Sequence, residues 1–180
     1  MSPASEFLSA FPQSFAHSTD HPFNSGAFHR LLEETGCASS AVGWTPAHLP
    51  NASGLLPGYL KGHSYGEFIF DWAWADFYHR NGVPYYPKLI HALPFTPVNA
   101  PKFLAATPAA LAQESLEAYL ERPQISGEHY LFITLEEKSV LADLGFAIQE
   151  THQYHWFNRY RDFSDYLERL SKNRRRMIQK

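Results

Sequence analysis

Thirteen prolines and ten glycines in 180 residues break this chain into many short elements and loops. Each proline fixes its own φ and removes a backbone donor, so no helix or strand runs far past one. Apolar residues still make up 44% of the chain, and 16% are aromatic. Such a chain can offset its folding entropy, so global disorder is excluded. Its length allows one domain with an ordinary core. Cys37 is the only cysteine, so no internal disulfide forms. It reads as a small, buried or semi-exposed apolar residue. No apolar run approaches the ~20 residues of a membrane span. The first fifteen residues lack the basic and apolar regions of a signal peptide, so the cytoplasm is the default compartment.

The pattern of elements is mixed. Asn24 can cap a helix carrying Phe28, Leu31 and Leu32, with Gly36 as its stop. Residues 55–61 read as a short strand and 66–71 as an apolar one. Asp71 can cap a helix with Trp74, Phe77 and Tyr78 on one face, ended by Asn81 and Gly82. Residues 85–95 read as a strand whose prolines, Pro87 and Pro94, argue for an edge or a bulge. Thr107 and Pro108 make a good helix start. The apolar side of that helix would be Leu111, Leu116, Tyr119 and Leu120. Residues 128–134 predict a strand, 136–144 a helix closed by Gly145, and 146–157 the last strand. A final amphipathic helix starts near Asp162 or Ser164. This succession suits an α/β domain with a mixed sheet covered by helices on both faces.

The net charge of −3 hides an asymmetry. Residues 159–180 carry eight basic and three acidic side chains, while the rest of the chain is net −8. A basic tail on an acidic body predicts an anionic partner or an acidic docking surface.

Three blocks carry a family resemblance. Residues 59–71, Tyr59 through His63, Tyr65 and Glu67 to Asp71, run on into Trp72 and Trp74. Tyr85, Tyr86, Pro87, Lys88 and Leu89 are followed by Pro94 to Val98. Gln153 to Trp156, Phe163 to Leu167 and Lys172 to Ile178 complete the set. In this order they resemble the FemAB-like peptidoglycan biosynthesis/recognition family of the GNAT acyltransferase superfamily. The resemblance covers about residues 20–180, about half of a typical member. It implies a GNAT-like domain over residues 1–160. Residues 161–180 would form a basic amphipathic helix leading to a second GNAT-like domain. It also implies acyl or aminoacyl transfer to an amine in bacterial cell-wall precursor metabolism. Acyl-CoA or aminoacyl-tRNA would be the donor for the full protein. A small-molecule or cell-wall precursor would be the substrate, and a second GNAT-like domain or a homo-oligomer the protein partner.

Two departures stand out. The stretch between His48 and Tyr59 is short. After Val98 the chain reads Asn99, Ala100, Pro101, Lys102, where the family pattern has a glycine and an arginine. A GNAT pyrophosphate loop offers backbone N–H groups at a helix start. Residues 98–107 have no glycine, and Pro97 and Pro101 each remove a donor. The expectation is that this half alone binds no CoA. The chain would then be a non-catalytic recognition half, or a truncated fragment, of a tandem-GNAT protein.

The densest polar cluster among aromatics is His63, Tyr65, Glu67 and Asp71. Glu67 or His63 is the candidate general base. On a strand, Tyr65, Glu67 and Asp71 would share one face. The alternative has Glu67 in a structural salt bridge and Asp71 as a helix cap. Lys61 and Lys88 are candidate anion contacts, or surface lysines with buried stems. Tyr85 and Tyr86 can stack on a sugar ring or pack at a core rim. Thr96, Lys102, Arg174 and Arg175 complete the candidate substrate contacts. Trp72, Trp74 and Trp156 read as core. No histidine spacing fits a zinc site, so no metal is expected. The basic run 172–180 lacks interleaved aromatics, which argues against nucleic acid.

Overall fold

The computed structural model describes residues 6–13, 15, 21–52 and 54–179. They divide into two compact units, one up to Ile148 and one from Gln149.

The first unit is a mixed α+β structure with two small sheets. One is a four-stranded sheet in the order β1 (Trp44–Pro46), β4 (Tyr59–Lys61), β5 (Lys88–His91) and β7 (Glu128–Tyr130). Its first two pairings are antiparallel. The last is parallel, with Leu89 opposite Glu128 and His91 opposite Tyr130. The second sheet joins β2 (Leu49–Asn51), β3 (Gly54–Leu56) and β6 (Leu104–Ala105), all antiparallel.

Prolines cut the strands as the sequence implied, and more severely. The predicted strand 55–61 is two strands, β3 and β4, in different sheets, with Pro57 and Gly58 between them. The predicted strand 85–95 keeps only β5, preceded by a cis Tyr86–Pro87 bond. That strand is not an edge; it lies between β4 and β7.

Helix α1 (Gly26–Glu34) is capped by Ser25, whose side chain accepts from the Phe28 N–H, rather than by Asn24. Asn24 instead donates to the Pro101 carbonyl at 2.9 Å. Helix α3 (Pro108–Leu120) starts at its proline as expected. It buries Leu111, Ala112, Ser115 and Ala118, while Leu120 is exposed. Small residues therefore set the packed face, which lets α4 (Leu135–Asp143) and the second sheet approach. Leu49, Leu56, Phe103 and Leu141 fill that core with them. Thr134 and Glu137 form a reciprocal capping box that starts α4. A second core cluster, Trp44, Tyr59, Ile90, Ala92 and Leu131, backs the four-stranded sheet.

Two strand expectations fail. Residues 66–71 form turns and bends, with Phe68 and Phe70 at φ 62° and 52°. Left-handed backbone at a bulky residue breaks the pleat that a strand needs. Residues 146–157 form no strand among the described residues, and the side chains of residues 149–157 are exposed.

In the second unit the predicted single helix is two, α5 (Phe163–Glu168) and α6 (Lys172–Ile178). Asp162 caps α5 by accepting from the Asp165 N–H at 2.9 Å. The Arg175 guanidinium reaches back to the carbonyls of Leu167, Glu168 and Leu170. It satisfies orphan acceptors at the end of α5, which stabilises the break. Among the described residues no helix is long and apolar enough to cross a membrane.

Candidate functional site

The site is built where β5 begins. Lys88 is fully buried, and its ammonium donates to Glu67 Oε2 at 2.7 Å, Asp71 Oδ2 at 2.6 Å and Ser64 Oγ at 2.9 Å. It is neither a surface lysine nor a free anion contact. A buried ammonium is tolerable only when every N–H has an acceptor, and these three atoms supply them. The Tyr85 hydroxyl donates to the same Asp71 oxygen at 2.6 Å. The Tyr86 hydroxyl lies 2.8 Å from Ser64 Oγ.

The loop between β4 and α2 (Trp72–Arg80) carries three of these partners. Gly66, at φ 81°, lets the chain turn tightly; a Cβ there would sit 2.7 Å from the Phe95 ring. The turns at Phe68 and Phe70 then send Glu67 and Asp71 inward, while Tyr65 is 67% exposed. The three do not share a face, as a strand would have required. Left-handed backbone at such residues costs about 1–3 kcal/mol each. Asp71 sits at the start of α2, but its side chain makes no cap hydrogen bond. It is spent on Lys88 and Tyr85 instead.

Lys61 is the second buried lysine. It donates to the Tyr65 carbonyl at 3.1 Å and lies 3.8 Å above the Trp44 ring. Burial, together with the Lys88 charge and against the pull of Glu67, lowers its pKa to about 8. His63 packs over Gly43, where a Cβ would lie 2.4 Å from its Nε2. Its Nδ1 accepts from the Tyr65 N–H at 3.3 Å.

The two carboxylates differ. Burial pushes Glu67 up, assisted by Asp71, and Lys88 only partly offsets this, so its pKa stays raised. Burial also pushes Asp71 up, but hydrogen bonds from Lys88, Ser64 and Tyr85 outweigh it and hold Asp71 low. Of the two, Glu67 is the carboxylate whose surroundings favour the protonated form, and Asp71 the one whose surroundings favour the charged form. One oxygen of each, Glu67 Oε1 and Asp71 Oδ1, is buried without a partner. A groove is lined by Ala75, Asp76, His79, Val83, Pro84, Tyr85 and Tyr86. Tyr85 and Tyr86 belong both to this lining and, through their hydroxyls, to the buried cluster; Ser64, Glu67, Asp71 and Lys88 are not among the lining residues.

The structure thus brings together Glu67, Asp71, Tyr85, Tyr86 and Lys88, with His63 and Tyr65 on the loop that carries Glu67 and Asp71, and Lys61 at the end of β4. The remaining candidates have other partners. Thr96 donates to the Pro94 carbonyl at 3.0 Å. Lys102 is buried and donates to the carbonyls of Ala100 at 2.6 Å and Phe132 at 3.0 Å. Burial, eased by Glu137, brings its pKa down to about 8. Arg174 and Arg175 belong to the second unit, where Arg175 holds α5. Sequence reasoning missed Ser64, which sits between two residues it singled out. A hydroxyl in a loop gives no signal until a buried lysine turns toward it. Among the described residues no three His, Cys, Asp or Glu side chains group to hold a metal ion.

A family model for FemAB-like proteins, described as peptidoglycan biosynthesis/recognition, matches residues 8–180. The chain belongs to the FemAB-like family. No curated protein and no solved structure matches it. The match takes in the whole Lys88 cluster, the groove and both compact units of this FemAB-like chain.

Three ring-bearing side chains expected in the core are exposed in this FemAB-like protein: Trp72 by 42%, Trp74 by 58% and Trp156 by 71%. The core is filled instead by Trp44, Tyr59, Phe11, Phe103 and aliphatic residues.

Proposed function

We propose that this FemAB-like chain is a GNAT-like domain that holds the amine of a cell-wall precursor during acyl or aminoacyl transfer. The observation that carries this reading is the pair of unpartnered carboxylate oxygens, Glu67 Oε1 and Asp71 Oδ1, in a cluster that shares Tyr85 and Tyr86 with a groove. Buried acceptors without a protein donor are costly and take one from water or from a ligand. A substrate ammonium supplies such N–H groups, and the faces of Tyr85 and Tyr86 suit a cation. In the transfer step Glu67 takes the proton from the amine. The amine nitrogen then bonds to the acyl carbon, and the carbonyl's bond to the donor sulfur or oxygen breaks. The antiparallel β1–β4–β5 run with a parallel β7, reached through α3, supports the GNAT-like reading.

A second reading, a recognition half without its own CoA site, is favoured by one specific observation. The N–H groups of Lys102 and Phe103 lie in the segment where a pyrophosphate would bind. Both donate to Glu137 Oε1, at 2.9 Å for Phe103. An internal carboxylate fills the anion position there.

A thermal-shift titration separates the readings. A ligand at ~100 times its dissociation constant adds about 2.7 kcal/mol to stability. A nucleotide-linked cell-wall precursor should raise Tm, and Glu67→Gln should remove the rise. Stabilisation by acetyl-CoA alone would favour a complete small transferase. No shift with either would sink the amine-site reading.

A further inference from the structure

In the second unit, Trp156, Asn158, Tyr160, Asp162, Phe163 and Tyr166 line a pocket of about 360 Å³. Its rings form one connected box. Those of Trp156 and Tyr160 run nearly parallel, 22° between planes and 6.3 Å between centroids. Tyr166 stands at 71° to Tyr160, 5.2 Å away, and Phe163 lies 5.8 Å from Tyr166. The two polar members are fixed by the backbone. Asn158 Oδ1 accepts the Tyr160 N–H at 3.0 Å, and Asp162 Oδ1 accepts the Asp165 N–H at 2.9 Å. The Asn158 amide N–H groups and Asp162 Oδ2 are left for a ligand.

We propose that this pocket binds a nucleotide, with the base stacked on the rings and the phosphate paired with arginines of the same unit. Aromatic walls by themselves suit either a cation or a flat ring. The charge of the unit decides between them. Residues 149–180 carry eight basic and four acidic side chains, a net +4. Arg159 and Arg161 flank Tyr160 in the chain, and the Arg161 side chain is 85% exposed. The Arg169 guanidinium already lies 5.7 Å over the Tyr160 ring. A second cation would meet these charges, whereas an anion that carries a flat ring is drawn by them. Every base offers a π-face to the rings. Asp162 then selects among the bases, because an ionised carboxylate only accepts hydrogen bonds. Cytosine, adenine and guanine present an amino group. Uracil presents one N–H between two carbonyls, whose oxygens repel a carboxylate. The pocket therefore favours a base with an amino group. This assignment does not rest on the amine site of the first unit.

The test is isothermal titration calorimetry on the full chain with cytidine monophosphate, uridine monophosphate and inorganic phosphate. The cytidine nucleotide should bind about tenfold more tightly than the uridine one, the size of one good base contact. Phosphate alone should bind more weakly than either. Trp156→Ala should weaken the cytidine nucleotide by about tenfold, as loss of a stacking ring does. Asp162→Asn keeps a capping oxygen for α5 and should bring the two nucleotides to equal affinity. That variant keeps the test sound if Trp156→Ala disturbs the unit. Arg161→Gln should lower affinity and flatten its dependence on salt. No binding of the cytidine nucleotide at millimolar concentration overturns the proposal, as does phosphate binding just as tightly. Equal affinity for the two nucleotides in the unaltered chain overturns the role of Asp162. A deoxythymidine hexamer bound more tightly than the cytidine nucleotide would overturn the proposal by assigning the rings to single-stranded nucleic acid.

Discussion

Among the buried polar networks of the first unit, two finish their carboxylates differently. One joins Glu33, His48, Tyr59 and His29. Gly58 N–H donates to His48 Nδ1 at 3.2 Å, leaving Nε2 to donate to Glu33 Oε1 at 2.9 Å. Tyr59 donates to the same oxygen at 3.1 Å, and Glu33 Oε2 accepts the Phe11 N–H at 2.7 Å. Burial pushes Glu33 up, yet these donors outweigh it and hold its pKa down. Both its oxygens are bonded. The other network, around Lys88, leaves one oxygen on each carboxylate without a donor. A carboxylate with both oxygens bonded rigidifies a core, whereas one with an oxygen left over can accept a further donor. The contrast is between the carboxylates, since the first network also leaves His29 Nε2 without a partner. The first network ties α1 to the strands; the second shares Tyr85 and Tyr86 with a groove.

The comparison can be broken most severely at Lys88. Lys88→Met leaves two carboxylates buried without their cation and should cost about 3–5 kcal/mol in urea unfolding. Adding Glu67→Gln and Asp71→Asn should recover a large part of that loss. A small effect of Lys88→Met alone would show that water reaches the cluster freely.

Acid sharpens the contrast. Burial, with His48 and Lys102 and against Glu33, lowers the His29 pKa to about 3. Burial and Lys88 lower His129 to about 4, against Asp71 and Glu128. Below the ordinary value of 6.5 the unfolded chain binds protons that the folded chain refuses. Stability is therefore complete above that pH and falls as pH drops through the window. The expected slope is about 1.4 kcal/mol per pH unit for each histidine. His29→Gln should flatten the slope, and a Tm-against-pH series measures it.

In the Glu33 network, Tyr59→Phe removes the hydroxyl between His29 and Glu33 and should cost about 1–3 kcal/mol in chemical denaturation. The smallest stability effect is expected at the Lys88 network. Glu67→Gln keeps an acceptor for Lys88 and removes a charge that burial disfavours, so the change should stay within about 1 kcal/mol. If it instead destabilises as much as Lys88→Met, Glu67 is a structural ion-pair partner only.

The sequence pointed to Glu67, Asp71, Tyr85, Tyr86 and Lys88 as residues of interest, and the structure gathers all five. It could not show how they meet. The Glu67–Lys88 and Asp71–Lys88 contacts join the loop before α2 to a strand beyond it, and pairing at that range leaves no mark in local pattern. The segment 66–71 carries the apolar run Phe68, Ile69 and Phe70, which reads as a strand. Its backbone instead turns at Gly66, Phe68 and Phe70, so the polar members go in and the rings go out. Trp72 and Trp74 misled for the same reason, since hydrophobicity argues for burial but does not say against what.

The sequence by itself determined the short proline-cut elements, the starts of α3 and α4, the glycine after α4 and the absence of a disulfide. These depend on φ restriction, capping and residue count, which act locally. Family membership was also legible, because three blocks kept their residues and order. Tertiary structure alone decided that Lys88 is buried between two carboxylates and that Glu137 takes the amides of Lys102 and Phe103. It alone left α2 with no fully buried residue, its contact with the fold carried by the half-buried Ala75 and Tyr78. Each of these depends on which groups lose water together, and desolvation is a property of the assembled fold rather than of any stretch of chain.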